Sequence, residues 1–280
     1  MTRAIDLRIA TCRVLPEADP DAAPLAAALA AAGLVAQLVG WDDPDADWDA
    51  AIPTVLRSTW NYPRAPDAFS AWLDRASAAA PVLNPPDVVR GNLHKRYLLE
   101  LAARGVPVVP TTIVEPGQPC ELAAIAAPRI VVKPAIGASS VGTRAFAPGD
   151  PAAQLHLAAI TARGAALVQP YLGSVDGPGE RAVVWIGGAL SHAVRKARRF
   201  AGDPERIDGP FAIADDERAV AEAALAPVAE RIAYARVDLA RDAAGRPVVM
   251  ELELIEPSLY FAHAPGSAER FVAAVRRWLA

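Results

Sequence analysis

The chain has 280 residues, 53% hydrophobic and 21% charged, enough to bury a sizeable core in one large domain or two to three small ones. A formal net charge of −4 leaves no overall basic footprint and argues against a nucleic-acid partner. Cys12 and Cys120 stand far apart, with neither metal-type spacing nor a disulfide framework, so a reducing, cytoplasmic setting is the simplest reading.

At the N-terminus Arg3, Asp6 and Arg8 interrupt any apolar run, so no secretory signal is read there. The longest low-charge run, 22–40, is mostly alanine with Gly33 and Gln37 inside it; it reads as a helix followed by a strand, not as a membrane span. Over residues 1–90 strand-like and helix-like segments alternate. Strands are expected over 7–14, 34–41 and 54–60, and helices over 23–33 and 67–77. The acidic segment 42–49 reads as a solvated connection, and "PVLNPP" (81–86) closes the unit. Such alternation predicts a small α/β domain with a mostly parallel sheet.

From Gly91 the pattern changes. One helix is expected over 92–105, followed by antiparallel-looking strands over 106–114, 129–134 and 143–146. A helix over 151–164 and a strand over 166–172 come next. Residues 181–196 read as a hairpin turning at Gly187 and Gly188. A helix over 215–233, a second hairpin over 235–254 and a terminal helix over 268–279 complete the chain. No internal repeat or long linker interrupts it.

Two stretches carry chemistry. The first is "VVKPAIGASSVGT" (131–143), which holds one of only three lysines, Lys95, Lys133 and Lys196, among twenty-eight basic residues. Small residues around Gly137, Ser139, Ser140, Val141 and Gly142 let backbone N–H groups approach phosphate oxygens. The lysine precedes the loop and a strand follows, so this is not a Walker A motif. After the first strand stands "PEADPDAAP", without the glycine fingerprint of an NAD-dependent oxidoreductase. An ordinary hairpin loop is the alternative. The second stretch is the hairpin 235–254. Pairing about Ala244 and Gly245 sets Asp238 opposite Glu251, with Glu251 and Glu253 on one face. Oxygen-only ligands of this kind suit Mg²⁺ or Mn²⁺; an amphipathic strand with Glu outward and Leu inward is the alternative.

On the substrate side, Arg57 can bind a carboxylate bidentately, framed by Ser58, Thr59 and Trp60. Packing of Trp60 and Tyr62 at a strand end competes with that reading. Tyr260, Phe261 and His263 are expected to line the same cleft. His94, His156, His192 and His263 show no Ser–His–Asp arrangement, and "RKARR" (195–199) reads as a solvated basic strand end.

In order along the chain, Lys95, the strand lysine Lys133 before "AIGASSVG", the strand "LVQPYL" and the Asp…Glu-x-Glu hairpin resemble the ATP-grasp superfamily. The likeness runs from Gly91 to the C-terminus, behind the kind of α/β domain common in that superfamily. It implies an ATP-grasp fold, α/β and α+β, with a Rossmann-like domain over 1–90, a subdomain carrying the glycine-rich lid over 91–170, and a subdomain carrying the metal and nucleotide site over 171–280. It also implies roles. Lys95 and Lys133 would contact the phosphates of ATP under the lid, Gln169, Pro170, Tyr171 and Leu172 would hold adenine, and Glu180 would bind ribose. Asp238, Glu251 and Glu253 would hold Mg²⁺ (or Mn²⁺). Arg236 would stabilise the acyl-phosphate and the tetrahedral adduct, with Lys196 near the γ-phosphate.

Within the superfamily, "VLRSTWNYP", "NPPDVVRGNLHKRYL", "SHAVRK" and "MELELIEPSLYF" are similar to cycloserine-forming cyclo-ligases. The fold is also similar to glutathione synthetase and D-alanine–D-alanine ligase, and "PAIGASSVGT" is closer to the latter. The implied activity is an ATP- and Mg-dependent ligase. It would activate a carboxylate as an acyl-phosphate and form a C–N bond, linear or cyclic, on a small amino-acid-like substrate. Small-molecule carboxylates and amines are then the partners, without nucleic acid or membrane; a homodimer is compatible with the family. The competing reading is a non-catalytic ATP-binding regulatory or assembly protein of the same fold.

Overall fold

In the computed structural model, which describes residues 4–197 and 206–279, strands β1 (Leu7–Thr11) and β3 (Thr54–Ser58) are buried along their whole length. Strands covered on both faces belong in the middle of a parallel sheet. With helix α1 (Ala22–Ala31), β2 (Ala36–Gly40), α2 (Pro66–Ala79) and β4 (Val82–Leu83), they form one: the order is β2-β1-β3-β4 and every pair is parallel. Leu25 and Leu29 of α1 pack on Leu7, Ile9 and Val55, while Phe69, Trp72 and Leu73 of α2 pack on Leu56 and Val82. The acidic segment 42–49 departs from expectation. Asp42, Asp45, Asp47 and Asp49 are exposed, but Trp48 is buried beside Trp72, so the indole pins the loop to the core.

The helix expected over 92–105 is broken in two, α3 (Pro86–Leu93) and α4 (Tyr97–Ala103), with His94 extended between them. Lys95 lies in that break rather than on a helix, and its backbone N–H donates to the Ala135 carbonyl at 2.9 Å. The strand expected over 106–114 is also interrupted, because Pro107 and Pro110 have no N–H to give a ladder. Val108 makes an isolated parallel bridge to Val249, and only β5 (Thr112–Val114) is a strand.

Two antiparallel sheets follow. β6 (Ile130–Pro134), β7 (Arg144–Phe146) and β8 (Ala166–Pro170) join β5 in the order β5-β8-β6-β7, backed by α5 (Pro151–Thr161). The second sheet is built from β9 (Glu180–Ile186), β10 (Ala189–Lys196), β11 (Ile207–Phe211), β12 (Tyr234–Arg241) and β13 (Pro247–Glu253), in the order β11-β10-β9-β12-β13. Helix α6 (Asp215–Leu225) packs behind β13 and stops short of the expected residue 233, since Pro227 cannot continue it.

The terminal helix α7 (Ser267–Leu279) ties the halves together. Phe271, Val272 and Val275 share one core with Leu25 and Leu29 of α1 and with Val184, Ile186 and Tyr234 of the five-stranded sheet. Asn84, just after β4, is a polar clasp on the same seam. Its amide donates to the carbonyls of Tyr234 (2.9 Å) and Leu254 (2.8 Å), and its carbonyl accepts from Ala233 N–H (2.8 Å). Among the described residues no helix is long and apolar enough to cross a membrane.

Candidate active site

The two antiparallel sheets face each other across a cavity. One wall is the four-stranded sheet and its loop, with Val131, Lys133, Gly137, Ser139, Ser140 and Val141 followed by Gln169 to Leu172. The opposite wall is the five-stranded sheet, with Glu180, Lys196, Arg236, Glu251 and Glu253. All three lysines of the chain line this one space. Two of them are ion-paired. Lys95 Nζ lies 2.9 Å from Glu251 and donates to the Gly137 carbonyl at 2.7 Å, so it staples the loop to β13. Lys196 pairs with Glu180, its register partner across β9 and β10, and with Asp238 at 2.7 Å. Lys133 differs: it is 9% exposed, and none of the described side chains pairs with it. Burial lowers its pKa, with Glu251 opposing.

The loop after β6 takes an uncommon path. Ser139 and Ser140 have φ of 50° and 56°, a left-handed conformation that costs non-glycine residues energy and concentrates at functional loops. Gly142 has φ of 75° and does not line the cavity. A Cβ there would meet Pro134 Cγ at 3.0 Å, so glycine lets the loop fold back on its own strand. Ser139 Oγ donates to Glu17 at 3.3 Å, which closes the loop against the segment after β1. Gln169 donates its amide to Thr111 Oγ1, and the ring of Tyr171 carries the Arg129 guanidinium at 3.9 Å. Val109, Val131, Leu172 and Met250 give this end of the cavity apolar surface.

Asp238 faces Glu251 and Arg236 faces Glu253, as expected, but nearer the turn the register differs by one: Leu239 pairs with Val249 and Arg241 with Pro247, and an irregularity between Asp238 and Leu239 restores the expected pairing. The three carboxylates do not converge on one point. Both oxygens of Asp238 are engaged, one by Arg236 Nε at 2.7 Å and the other by Arg236 Nη2 and Lys196, and Asp238 is buried behind the cavity wall. Burial disfavours its ionised form, but Arg236 and Lys196 hold its pKa well below the usual carboxylate range. Burial also opposes charge on Lys196, yet Asp238 and Glu180 keep its pKa well above the lysine norm. Arg236 also reaches Glu253, whose pKa burial pushes up to about 7, against Arg236 and with help from Asp238 and Glu251. Among the described residues no three His, Cys, Asp or Glu side chains group as metal ligands. Glu251 and Glu253, both on the cavity wall, are the oxygen pair that suits a hard cation, which fills its remaining positions with water and phosphate oxygens.

The expected substrate residues divide. Arg57 is turned away from the cavity. It is 2% exposed, pairs with Asp21 at 2.9 Å, and lies over the rings of Tyr234, Phe261 and Phe271. Asp21 also accepts the N–H groups of Leu259 and Phe261, so the pair is a structural bolt. Ser58 and Thr59 are buried as well and do not line the cavity. Trp60 does, and its indole N–H donates to the Glu256 carbonyl at 3.1 Å. Tyr260 and His263 line an adjoining space that shares Glu17, Trp60 and Ser258 with the main cavity, whereas Phe261 is in the core. Of "RKARR", Arg198 and Arg199 lie outside the described residues.

Several lining residues escaped the sequence reading: Glu17, Asn92, Tyr97 and Glu256. Asn92 brackets Leu252, donating to its carbonyl at 2.9 Å and accepting Leu254 N–H at 2.8 Å, so it sets the end of β13 where Glu251 and Glu253 stand. Glu256 had a signal, since "ELELIE" carries a third carboxylate beyond the strand's alternation.

Residues 7–84 match the family described as DcsG_N, the N-terminal domain of D-cycloserine synthetase DcsG. Over 266 residues the chain is 36% identical to cycloserine biosynthesis protein DcsG of Streptomyces lavendulae, covering 87% of this chain and 88% of that protein. The crystal structure of D-cycloserine synthetase DcsG is similar over 98% of this chain and 99% of its own, with 34% identity and a TM-score of 0.88. At the level of fold alone, D-alanyl-alanine synthetase A from Vibrio cholerae is similar with a TM-score of 0.72 and 15% identity, over 99% of both chains. The ATP-grasp ligase PsnB, solved with minimal precursor, Mg and ADP, is similar with a TM-score of 0.63 and 19% identity, over 98% of this chain and 99% of that one.

Proposed function

The chain belongs to the DcsG family of ATP-grasp ligases, ADP-forming enzymes that use ATP to make C–N bonds, and from that premise we propose that it activates the carboxylate of a small amino-acid-like substrate as an acyl-phosphate and joins it to an amine with Mg²⁺ bound. The observation that carries this reading is the gathering of Lys95, Lys133 and Lys196 around one cavity whose far wall holds Glu251 and Glu253.

A substrate carboxylate oxygen attacks the γ-phosphorus of ATP, and the bond to ADP breaks. The amine then attacks the acyl carbon, a proton leaves its nitrogen, and phosphate departs. Lys133, unpaired among the described residues, takes phosphate oxygens directly, and Lys95 reaches them from the loop it staples. Gln169 to Leu172 hold adenine, with Glu180 at ribose. Arg236, on the strand beside Asp238, faces the charge that develops on the acyl oxygens. The loop 135–142 closes over ATP and keeps water from the acyl-phosphate. Mg²⁺, when bound, neutralises phosphate charge. Glu251 and Glu253 would hold it, and Asp238 can join only by giving up a contact to Lys196 or Arg236.

Ring closure is the form of this reaction suggested by the D-cycloserine synthetase to which the chain is similar. We place the protein in the cytoplasm, without nucleic-acid or membrane partners; both cysteines are free, and the net charge is acidic. The test is ADP release coupled to mass spectrometry of products, with ATP, Mg²⁺ and a panel of amino acids, dipeptide precursors and O-ureido-D-serine. ADP should form only with a carboxylate and an amine present, and Glu251→Gln should abolish it. ATP binding without turnover across the panel would instead favour a non-catalytic binding protein.

A further inference from the structure

Two charged side chains on the cavity wall lack a side-chain partner among the described residues. Lys133 is accounted for by the phosphates. The other is Glu256, 6% exposed and facing the cavity, and no step of the reaction above uses it. Of the other wall carboxylates, Glu251 has Lys95, Glu180 has Lys196 and Glu253 has Arg236 as a cation, and Glu17 accepts from the Ser139 hydroxyl. The backbone N–H of Glu256 donates to its own carboxyl, no described side chain does so, and its main chain is fixed by Trp60. Burial, then the nearby charge of Glu253, pushes its pKa up to about 8, with Lys95 opposing and Glu251 adding to the rise.

A carboxyl buried without a counter-ion is costly, and proteins keep one where a ligand completes it. The missing partner is a cation that enters with a ligand. Glu256 lines the main cavity beside Trp60, whose indole N–H donates to its carbonyl and which, like Ser258, also lines the adjoining space. The indole of Trp60 offers a π face, which favours a compact organic cation. We infer that Glu256 is the recognition group for the ammonium of the amino-acid-like substrate, and that it selects molecules carrying a free amino group. The inference rests on the carboxylate-activating reading above.

The test is calorimetry on the full chain with ADP and Mg²⁺ present, using two pairs of probes. D-Cycloserine is compared with isoxazolidin-3-one, the same ring without the amino group, and D-alanine with propanoate. In at least one pair the wild type should bind the amino-bearing member about tenfold or more tightly. Glu256→Gln should bring that ratio close to one while ADP affinity stays within about twofold. Glu256→Asp, which keeps the charge, should retain the preference. Glu256→Gln replaces a buried carboxyl with a neutral group of the same size and should fold. The inference is overturned if Glu256→Gln keeps the preference, if ADP affinity falls with it, or if the wild type shows no preference in either pair. ADP release by the wild type is scored separately. Turnover with a preference indifferent to Glu256→Gln sinks this inference alone, and a Glu256-dependent preference without turnover sinks the ligase reading alone.

Discussion

Two regions of this molecule bury charge, and they do so differently. Behind the first sheet, Arg57 and Asp21 are each almost fully enclosed and given to one another, to two backbone N–H groups and to three aromatic rings. In the cavity, Lys133 and Glu256 are also buried, but among the described residues neither has a side-chain partner. Burial by itself therefore does not distinguish structure from function. A buried charge given an opposite charge holds the fold, and one left without an opposite charge among the described residues is set to receive a ligand.

The largest effect should come from the buried ion pair. Asp21→Asn leaves the Arg57 guanidinium uncompensated and should cost about 3–5 kcal/mol in denaturant unfolding. Specific activity per folded molecule should be nearly unchanged; a large loss of turnover at unaltered stability would erase the contrast. Lys133→Met should do the reverse, lowering ATP-dependent turnover by about a hundredfold or more while the melting temperature holds or rises. Lys133→Arg should not restore activity, because a guanidinium fork cannot replace a compact ammonium in that space.

Glu256 sharpens the comparison through pH. Its folded pKa of about 8 lies above the 4.5 of an ordinary glutamate, so between those values the native state holds a proton that the unfolded chain has lost. Stability should fall as pH rises across that window and level off above it. Glu256→Gln should remove the slope and raise stability at pH 8, read by chemical unfolding at several pH values. The smallest effect belongs to Arg75 and Asp49, an exposed pair linked at 2.7 Å. Arg75→Ala should leave the melting temperature unmoved, since solvent screens both charges.

What the chain announced in advance follows from distance along it. The hairpin itself was legible because a short turn joins its strands, but the turn-side register would set Asp238 opposite Met250; the shift between Asp238 and Leu239 that sets it against Glu251 was not legible. Lys133 was legible because it stands beside its own loop. The break at His94 was not, because the segment 92–105 has helical composition throughout, and what turns Lys95 out of it is a hydrogen bond to Ala135, forty residues away. Arg57 invited a substrate role because an arginine at a strand end is a good carboxylate ligand. Its actual carboxylate, Asp21, came from a different element.

By itself, then, the sequence determined the alternation that builds the parallel sheet, the two hairpins, and the three lysines and paired glutamates that signal phosphate chemistry. These are properties of period and neighbourhood, which local backbone geometry enforces. Tertiary structure alone decided which charges meet. It gave Asp238 to Arg236 and Lys196, took Arg57 out of the cavity, and brought Glu256 into it with no side-chain partner among the described residues. Pairing among buried charges depends on which elements pack together, and in this chain that packing joins residues up to 240 positions apart, as Asp21 and Phe261 show.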